Sequence, residues 1–362
     1  MTRPRTASLV GAATLAATLL ATSAASADTH RVFTSTNEAA GNRVLVYDRA
    51  AHGALEPVGS VATGGLGTGG GLSNQGAVQA AGGLLFVADA GSDDVAVLRL
   101  GDGSPVVVGR TPSGGQTPIS VTVHRSLLYV LNAGQGGTIA GFTIGSGGSL
   151  TPIAGSVRAV AGSGPAEIQF SPSGRSLYVT ERTSNTIDTF PVDDAGRAGA
   201  PVSTASSGAT PFGFAVDRRG DLVVSEAAGG PGGTSAVSSY RPSFDGTLTT
   251  ITASAADHQN AACWIGLSGD ERFAYTANAA SNTLSGYAVG HDGRLTLLDA
   301  DGITATTGGH PTDLTAGPGQ ELFSLAAGTG EIDAFRTGGN GELTRTDTAT
   351  GVPSSATGIA IG

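Results

Sequence analysis

Residues 165–191 read PAEIQFSPSGRSLYVTERTSNTIDTFP, and three strands and two turns can be set down along them directly. Pro165–Phe170 reads as a β-run, and Ser171-Pro172-Ser173-Gly174 as a turn in which proline supplies the φ of about −65° that a turn's second residue needs. Ser176–Thr180 is a second run, Ser184-Asn185 a turn, and Thr186–Pro191 a third run. Beyond Asp194-Ala195-Gly196 lies a fourth, Ala200–Thr204. The same hairpin joint recurs as Asp102-Gly103, Asp245-Gly246, Asp292-Gly293 and Asn340-Gly341. Asx-Gly is a strong short-range hairpin signal because both residues tolerate positive φ.

The phrase occurs seven times. Phe33, Phe86, Tyr129, Tyr178, Val223, Tyr275 and Phe323 mark equivalent positions, spaced 53, 43, 49, 45, 52 and 48 residues apart. A loose period of this length, read as four short strands, is the signature of a propeller blade. Inner strands are expected to start near Gly76, Pro118, Pro165, Pro211, Ala262, Pro311 and Ala356. The chain opens on a second-strand motif, Arg31–Thr36, and closes on an inner-strand motif, Ala356–Ile361. Together they make one blade, so the C-terminal strand should complete blade 1 and close the ring. The expected fold is therefore all-β, a seven-bladed β-propeller of four-stranded antiparallel blades over residues 28–362.

Residues 1–27 read as a secretory signal: Arg3 and Arg5, an apolar run from Ala7 to Ala21, and a small-residue cleavage site, Ala25-Ser26-Ala27. The protein is thus expected to be secreted, and as a monomer. Without those two arginines, 17 of the 19 basic residues remain against 29 acidic ones, an unfavourable balance for nucleic acid or anionic membrane. Lysine is absent, which excludes Schiff-base chemistry and a phosphate-loop lysine. Thr68-Gly69-Gly70-Gly71 is accordingly read as a connection between blades. The six histidines show no ligand spacing, and His52 and His291 fall in hairpin turns. Cys263, the only cysteine, sits beside Trp264 and reads as packed rather than nucleophilic.

Three residues beyond each marker stand Thr36, Asp89, Asn132, Glu181, Glu226, Asn278 and Ala326. Five of these seven are Asp, Glu or Asn, so the channel mouth is expected to carry a ring of oxygen ligands, with Gln75, Glu167, Trp264 and Asp313 added from the inner-strand starts. Side chains of this kind at strand ends also commonly satisfy loop N–H groups. Glu167 and Glu181 lie on adjacent strands, and close approach would raise one pKa toward general acid–base work. No cofactor is expected; of the metals, Ca²⁺ would suit such oxygen donors best.

The stretch from Phe170 to Glu181, followed by Asn185-Thr186-Ile187, resembles the signature of the seven-bladed lactonase family, and hairpins such as Asp245-Gly246-Thr247-Leu248 fit it. That family includes the propeller-type 6-phosphogluconolactonases and carboxy-muconate cyclising enzymes, and the likeness extends over residues 30–362. The resemblance implies that Glu181 matches the acid of an Asn-Glu pair ending the second strand. It also implies a His and an Arg at successive inner-strand starts, where this chain has Ile119 and Ala166, a departure that disfavours a phosphorylated sugar lactone. The implied activity is hydrolysis, or reverse cyclisation, of an extracellular lactone or carbohydrate-derived ligand at the channel mouth. Glu181 would act as base, Arg182 would stabilise the oxyanion, and Glu167 or Glu226 would tune the base. The alternative is a non-catalytic binding or scaffold propeller, to which the Gly-rich insertion Ala227–Ala236 would contribute.

Overall fold

Each blade is apolar on both faces because it packs between two neighbours, and its inner strands therefore read as nearly unbroken hydrophobic runs. Leu222 and Val224 of blade 5 pack with Tyr178 and Ile187 of blade 4, whereas Val223 between them turns to Ile265, Ala274 and Tyr287 of blade 6. The two-residue period of a strand thus becomes an assignment of alternate side chains to alternate neighbours.

The computed structural model describes residues 1–2, 30–49, 54–228, 235–317 and 319–362. Residues 3–27 of the expected leader, the His52 hairpin and most of the Ala227–Ala236 insertion lie outside these. Seven antiparallel sheets form a ring, each running from an inner strand outward. In blade 4 the strands are Pro165–Phe170, Ser176–Glu181, Thr186–Pro191 and Val202–Ala205, close to the sequence reading. Blades 3 and 6 split the outermost strand in two: Leu150–Pro152 and Arg158–Ala159 both pair with Thr138–Ile144, and Leu295–Leu297 and Ala305–Thr306 with Thr283–Val289. No α-helix occurs among the described residues.

The ring closes as expected. Thr357–Ile361 pairs antiparallel with Arg31–Ser35, placing Val32 opposite Ile361 and Phe33 opposite Ala360. Two further bonds join the ends, Arg31 N to Gly362 O at 2.8 Å and Gly362 N to Arg31 O at 3.0 Å. The closing strand also buries Ile359 and Ala360 between blades 7, 1 and 2.

One connection departs from the rest. Crossings from an outer strand to the next inner strand span five or six residues, but that between blades 1 and 2 runs from 63 to 77. Its inner strand begins at Val78, two residues later than the sequence suggests, because Gly76 gives its carbonyl to Val121 N of blade 3 at 2.9 Å.

Deleting residues 356–362 should leave blade 1 without its inner strand and the ring with two open edges. The expected result is a melting temperature lower by about 10 °C or more, with loss of a single cooperative transition, in circular dichroism. Unchanged melting would contradict closure by this strand.

Candidate functional site

Inner strands approach the axis with a shared irregularity. The register slips at Ile119 in blade 3, Ala166 in blade 4, Phe212-Gly213 in blade 5 and Cys263 in blade 6. A bulge leaves a residue outside the ladder and re-aims its side chain. Here those side chains are apolar and buried: Ala166, Phe212 and Cys263 join Trp264 in one cluster, and Ile119 joins another against which Leu72 packs.

The bulges also leave backbone groups facing the axis without a strand partner, and buried groups of this kind need one. The long crossing supplies it. Asn74 Nδ2 donates to Ile119 O of blade 3, Asn74 Oδ1 accepts from Thr357 Oγ1 of blade 1 at 2.9 Å, and Asn74 O accepts from Trp264 Nε1 of blade 6 at 2.7 Å. Gln75 N donates to Ala166 O of blade 4 at 3.2 Å. Its side chain donates to Ile265 O at 2.7 Å and Leu314 O at 3.4 Å, and accepts from Ile265 N at 3.0 Å. Blade 5 meets it at Gly213, where a Cβ would lie 1.9 Å from Gln75 Oε1, so only glycine fits. Asn74 and Gln75 therefore form a plug that touches the inner strands of all six other blades. Gln75 and Trp264, expected to meet a ligand, are committed to this plug.

Glu167 and Asp313 lie in the channel beside it, both almost fully buried. Glu167 Oε2 accepts from Phe214 N at 2.6 Å and Oε1 from Gln169 Nε2 at 2.5 Å. Burial raises its pKa well above the ordinary carboxyl value, and the charge of Asp313 adds to the rise. Asp313 Oδ1 accepts from Leu314 N at 2.7 Å. Burial pushes its pKa up to about 7, although the N–H groups of Leu314, Gly76 and Ile359 pull it down. Asp313 Oδ2 is buried and closes no hydrogen bond.

The expected oxygen ring takes another form. Each member is buried in its own socket, Asp89, Asn132, Glu181 and Glu226 against the crossing that enters the blade and Asn278 against its own third strand, rather than aimed at one point. Asp89 Oδ1 accepts from Asn42 Nδ2 at 2.7 Å and Thr63 Oγ1 at 2.8 Å. Asn132 Nδ2 reaches Ser113 O at 3.4 Å, and Asn278 Nδ2 binds Thr283 Oγ1 and Ser285 Oγ. Glu226 accepts Gly208 N at 2.8 Å and Ser254 Oγ at 2.7 Å. A Cβ on Gly208 would lie 2.1 Å from Glu226 Oε2, and one on Gly162 2.0 Å from Glu181 Oε2. These carboxylates latch blade to crossing.

Glu181 does not approach Glu167. Across the bulge Glu181 pairs with Pro165 and Glu167 with Thr180, and the two side chains bond to different partners. Glu181 faces Asp188 on the third strand; burial and that carboxyl raise its pKa to about 8. Its Oε2 is 3.2 Å from Ser184 Oγ in the half-buried turn above. Asp89 and Asp94 form a like pair, Asp89 being raised to about 7 chiefly by burial. Asp89 Oδ2 and Asp94 Oδ1 are both buried without a hydrogen-bond partner.

Arg182 stands at the mouth. Its backbone N binds Gly164 O at 2.9 Å, and its guanidinium lies over the Phe212 ring, 5.2 Å from the centroid. Phe212 in turn meets Trp264 edge-on at 5.4 Å. Arg182 takes part in none of the ion pairs among the described residues, and its Nε is buried without a hydrogen bond. Cys263 lies near enough for this charge to oppose the burial that pushes its thiol up to about 12, so it remains a thiol at neutral pH. The mouth thus offers one uncompensated cation on an aromatic floor above a sealed channel.

The chain matches the family model described as "Lactonase, 7-bladed beta-propeller" over residues 150–228 and 235–358. No curated protein matches it by sequence. Among solved structures it is similar to a 6-phosphogluconolactonase candidate from Bacteroides fragilis, with 18% identity, 92% of this chain and 98% of that one covered, and a TM-score of 0.74. It is likewise similar to a protein from Lactobacillus plantarum, at 19% identity over 92% and 99% with a TM-score of 0.75. The periplasmic gluconolactonase of Pseudomonas aeruginosa follows at 15% identity over 92% and 99%, TM-score 0.73. At these identities the likeness to solved structures is one of fold.

Raised carboxyl pKa values make stability depend on pH. Asp313 titrates near 4 when unfolded and at about 7 when folded, so between these values the folded state binds more protons. Stability should therefore fall as pH rises from 4 to 7. Asp313→Asn should flatten that fall in melting temperature measured across this range; an unaltered slope would contradict the assignment.

Proposed function

This chain belongs to the seven-bladed lactonase family, and from that premise we propose that it hydrolyses, or in reverse closes, a lactone at the channel mouth. The observation that carries this reading is Arg182, an unpaired guanidinium held on Phe212 at the rim of a channel otherwise filled by its own chain. Carbonyl addition needs positive potential where the oxyanion develops, and a donor free of internal partners supplies it.

Glu181 is the base in this proposal, acting through Ser184. Water adds to the lactone carbonyl and its proton passes by way of Ser184 Oγ to Glu181. The tetrahedral oxyanion faces Arg182. Collapse breaks the ring C–O bond, and Glu181 returns the proton to the departing hydroxyl. Glu167 contributes by holding Phe214 N, and so the strand that carries Phe212; Glu226 contributes by fixing the neighbouring crossing at Gly208. The secreted location belongs to the proposal, the substrate being a lactone met outside the cell. Neutral or carboxylate-bearing lactones fit better than phosphorylated ones, because Ile119 and Ala166 give the sealed channel no second cation.

The plug also supports a second reading, a propeller that binds without turnover. A panel of aliphatic, sugar and carboxylate-bearing lactones separates the two. With a folded-state pKa of about 8, Glu181 is deprotonated only as pH rises through that value, so kcat/KM should climb toward pH 8. Glu181→Gln should lower it by about 10²–10⁴ and abolish the climb. Arg182→Gln should lower kcat by about 10²–10³. Turnover indifferent to both substitutions removes this site from the reaction.

A further inference from the structure

On the face opposite the mouth, clefts open between neighbouring blades where the turns joining inner to second strands meet. Those between blades 2 and 3 and between blades 6 and 7 have volumes of about 360 and 340 Å³. The cleft between blades 4 and 5 has about 780 Å³ and a different lining: Ser171, Ser173 and Ser176 on one wall, Arg218, Arg219 and Arg241 on the other. We infer that this cleft is a binding site for an anionic saccharide, a sugar chain bearing carboxylate, sulfate or phosphate groups.

Its cations are built in. Arg241 grips Asp221 through Nε at 2.9 Å and Nη2 at 2.6 Å, and Arg219 grips Asp217 through Nε at 2.9 Å and Nη2 at 2.7 Å. Both aspartates are buried, so the guanidiniums are anchored from behind and pre-organised. Arg219 also donates Nη1 to His291 O at 2.6 Å and forms a wall. Arg218 is held through Nη2 to Gly269 O at 3.0 Å. Nη1 of Arg218 and of Arg241 makes no hydrogen bond to described residues, leaving each guanidinium one charged donor nitrogen for a carboxylate or sulfate oxygen. Each of the three arginines is paired with an acid, Arg218 with Glu271 at 3.4 Å, so what the cleft offers an anion is the donors those pairs leave free, in a chain of net charge −10.

Phe244 supplies an independent observation. Of the 18 Phe, Tyr and Trp side chains, 17 are buried, whereas Phe244 is 110% exposed. It stands on the hairpin tip two residues beyond Pro242, which lines the cleft. A bare aromatic ring in water is costly, and on the hairpin that carries Arg241 and Pro242 it offers a flat apolar surface to the C–H face of a sugar ring. The cleft's volume lies within the range of ligand sites, about 300–1,000 Å³.

The test is retention of the full chain on immobilised uronate, sulfated and phosphorylated glycans beside their neutral counterparts. Retention on anionic members alone is expected, weakening as salt rises. Phe244→Ala and Arg218→Ala alter exposed side chains, so melting should be unchanged while affinity falls at least about tenfold, the worth of one lost charge-assisted or stacking contact. No retention on any anionic glycan, equal retention on neutral ones, or retention untouched by both substitutions would overturn the inference. Lactone turnover in the two variants should match the unsubstituted protein, so this site and the mouth stand or fall separately.

Discussion

Seven blades around an axis leave a hole, and the backbone groups that face it are the constraint on which the rest depends. Bulges at Ile119, Ala166 and Cys263 bring carbonyls and N–H groups inward that no strand can pair. Buried without partners, each costs about 1–3 kcal/mol. Asn and Gln carry donor and acceptor on one short amide, so two adjacent residues can serve several strands at once. Asn74 and Gln75 do this, and the side chains around them, Ile119, Ala166 and Phe212, are apolar because the space they face is filled. The apolar side chains at these positions and the presence of the plug are two sides of one arrangement.

The same economy explains the acids. A crossing that passes over a blade end needs its N–H groups satisfied, and a carboxylate or amide at the end of the second strand meets them from below. Glycine at the point of contact lets the backbone descend onto the carboxylate, as Gly162 does onto Glu181. Burial then raises the pKa of Glu181 and Asp89, and Asp188 and Asp94 raise them further. These groups therefore hold protons at pH values where surface carboxylates do not.

Strand phase, the Asx-Gly joints and ring closure were legible because each depends on residues adjacent in sequence. Blade 4 could be set down nearly to the residue for that reason. The plug was not, since Asn74 and Gln75 find their partners up to 283 residues away, at Thr357. One signal pointed to it: the first interval between markers is 53 residues, the longest, and the surplus lies in the Gly-rich run that ends at Gly71. The oxygen ring was legible as a pattern but not in direction. A strand end can send its side chain to the axis or to the crossing above, and only the bulges decide which. Arg182 could be named from its place beside Glu181, while its isolation over Phe212 required the fold.

If the plug locks the ring, its amides should exchange with solvent only when the whole propeller opens. Hydrogen–deuterium exchange at Gln75 N, bound to Ala166 O, and at Val121 N, bound to Gly76 O, measures this directly. Exchange as slow as that of the buried strand Ser176–Glu181 is the expected result. Exchange orders of magnitude faster than in that strand would show that the plug leaves the channel on its own, and would contradict the account.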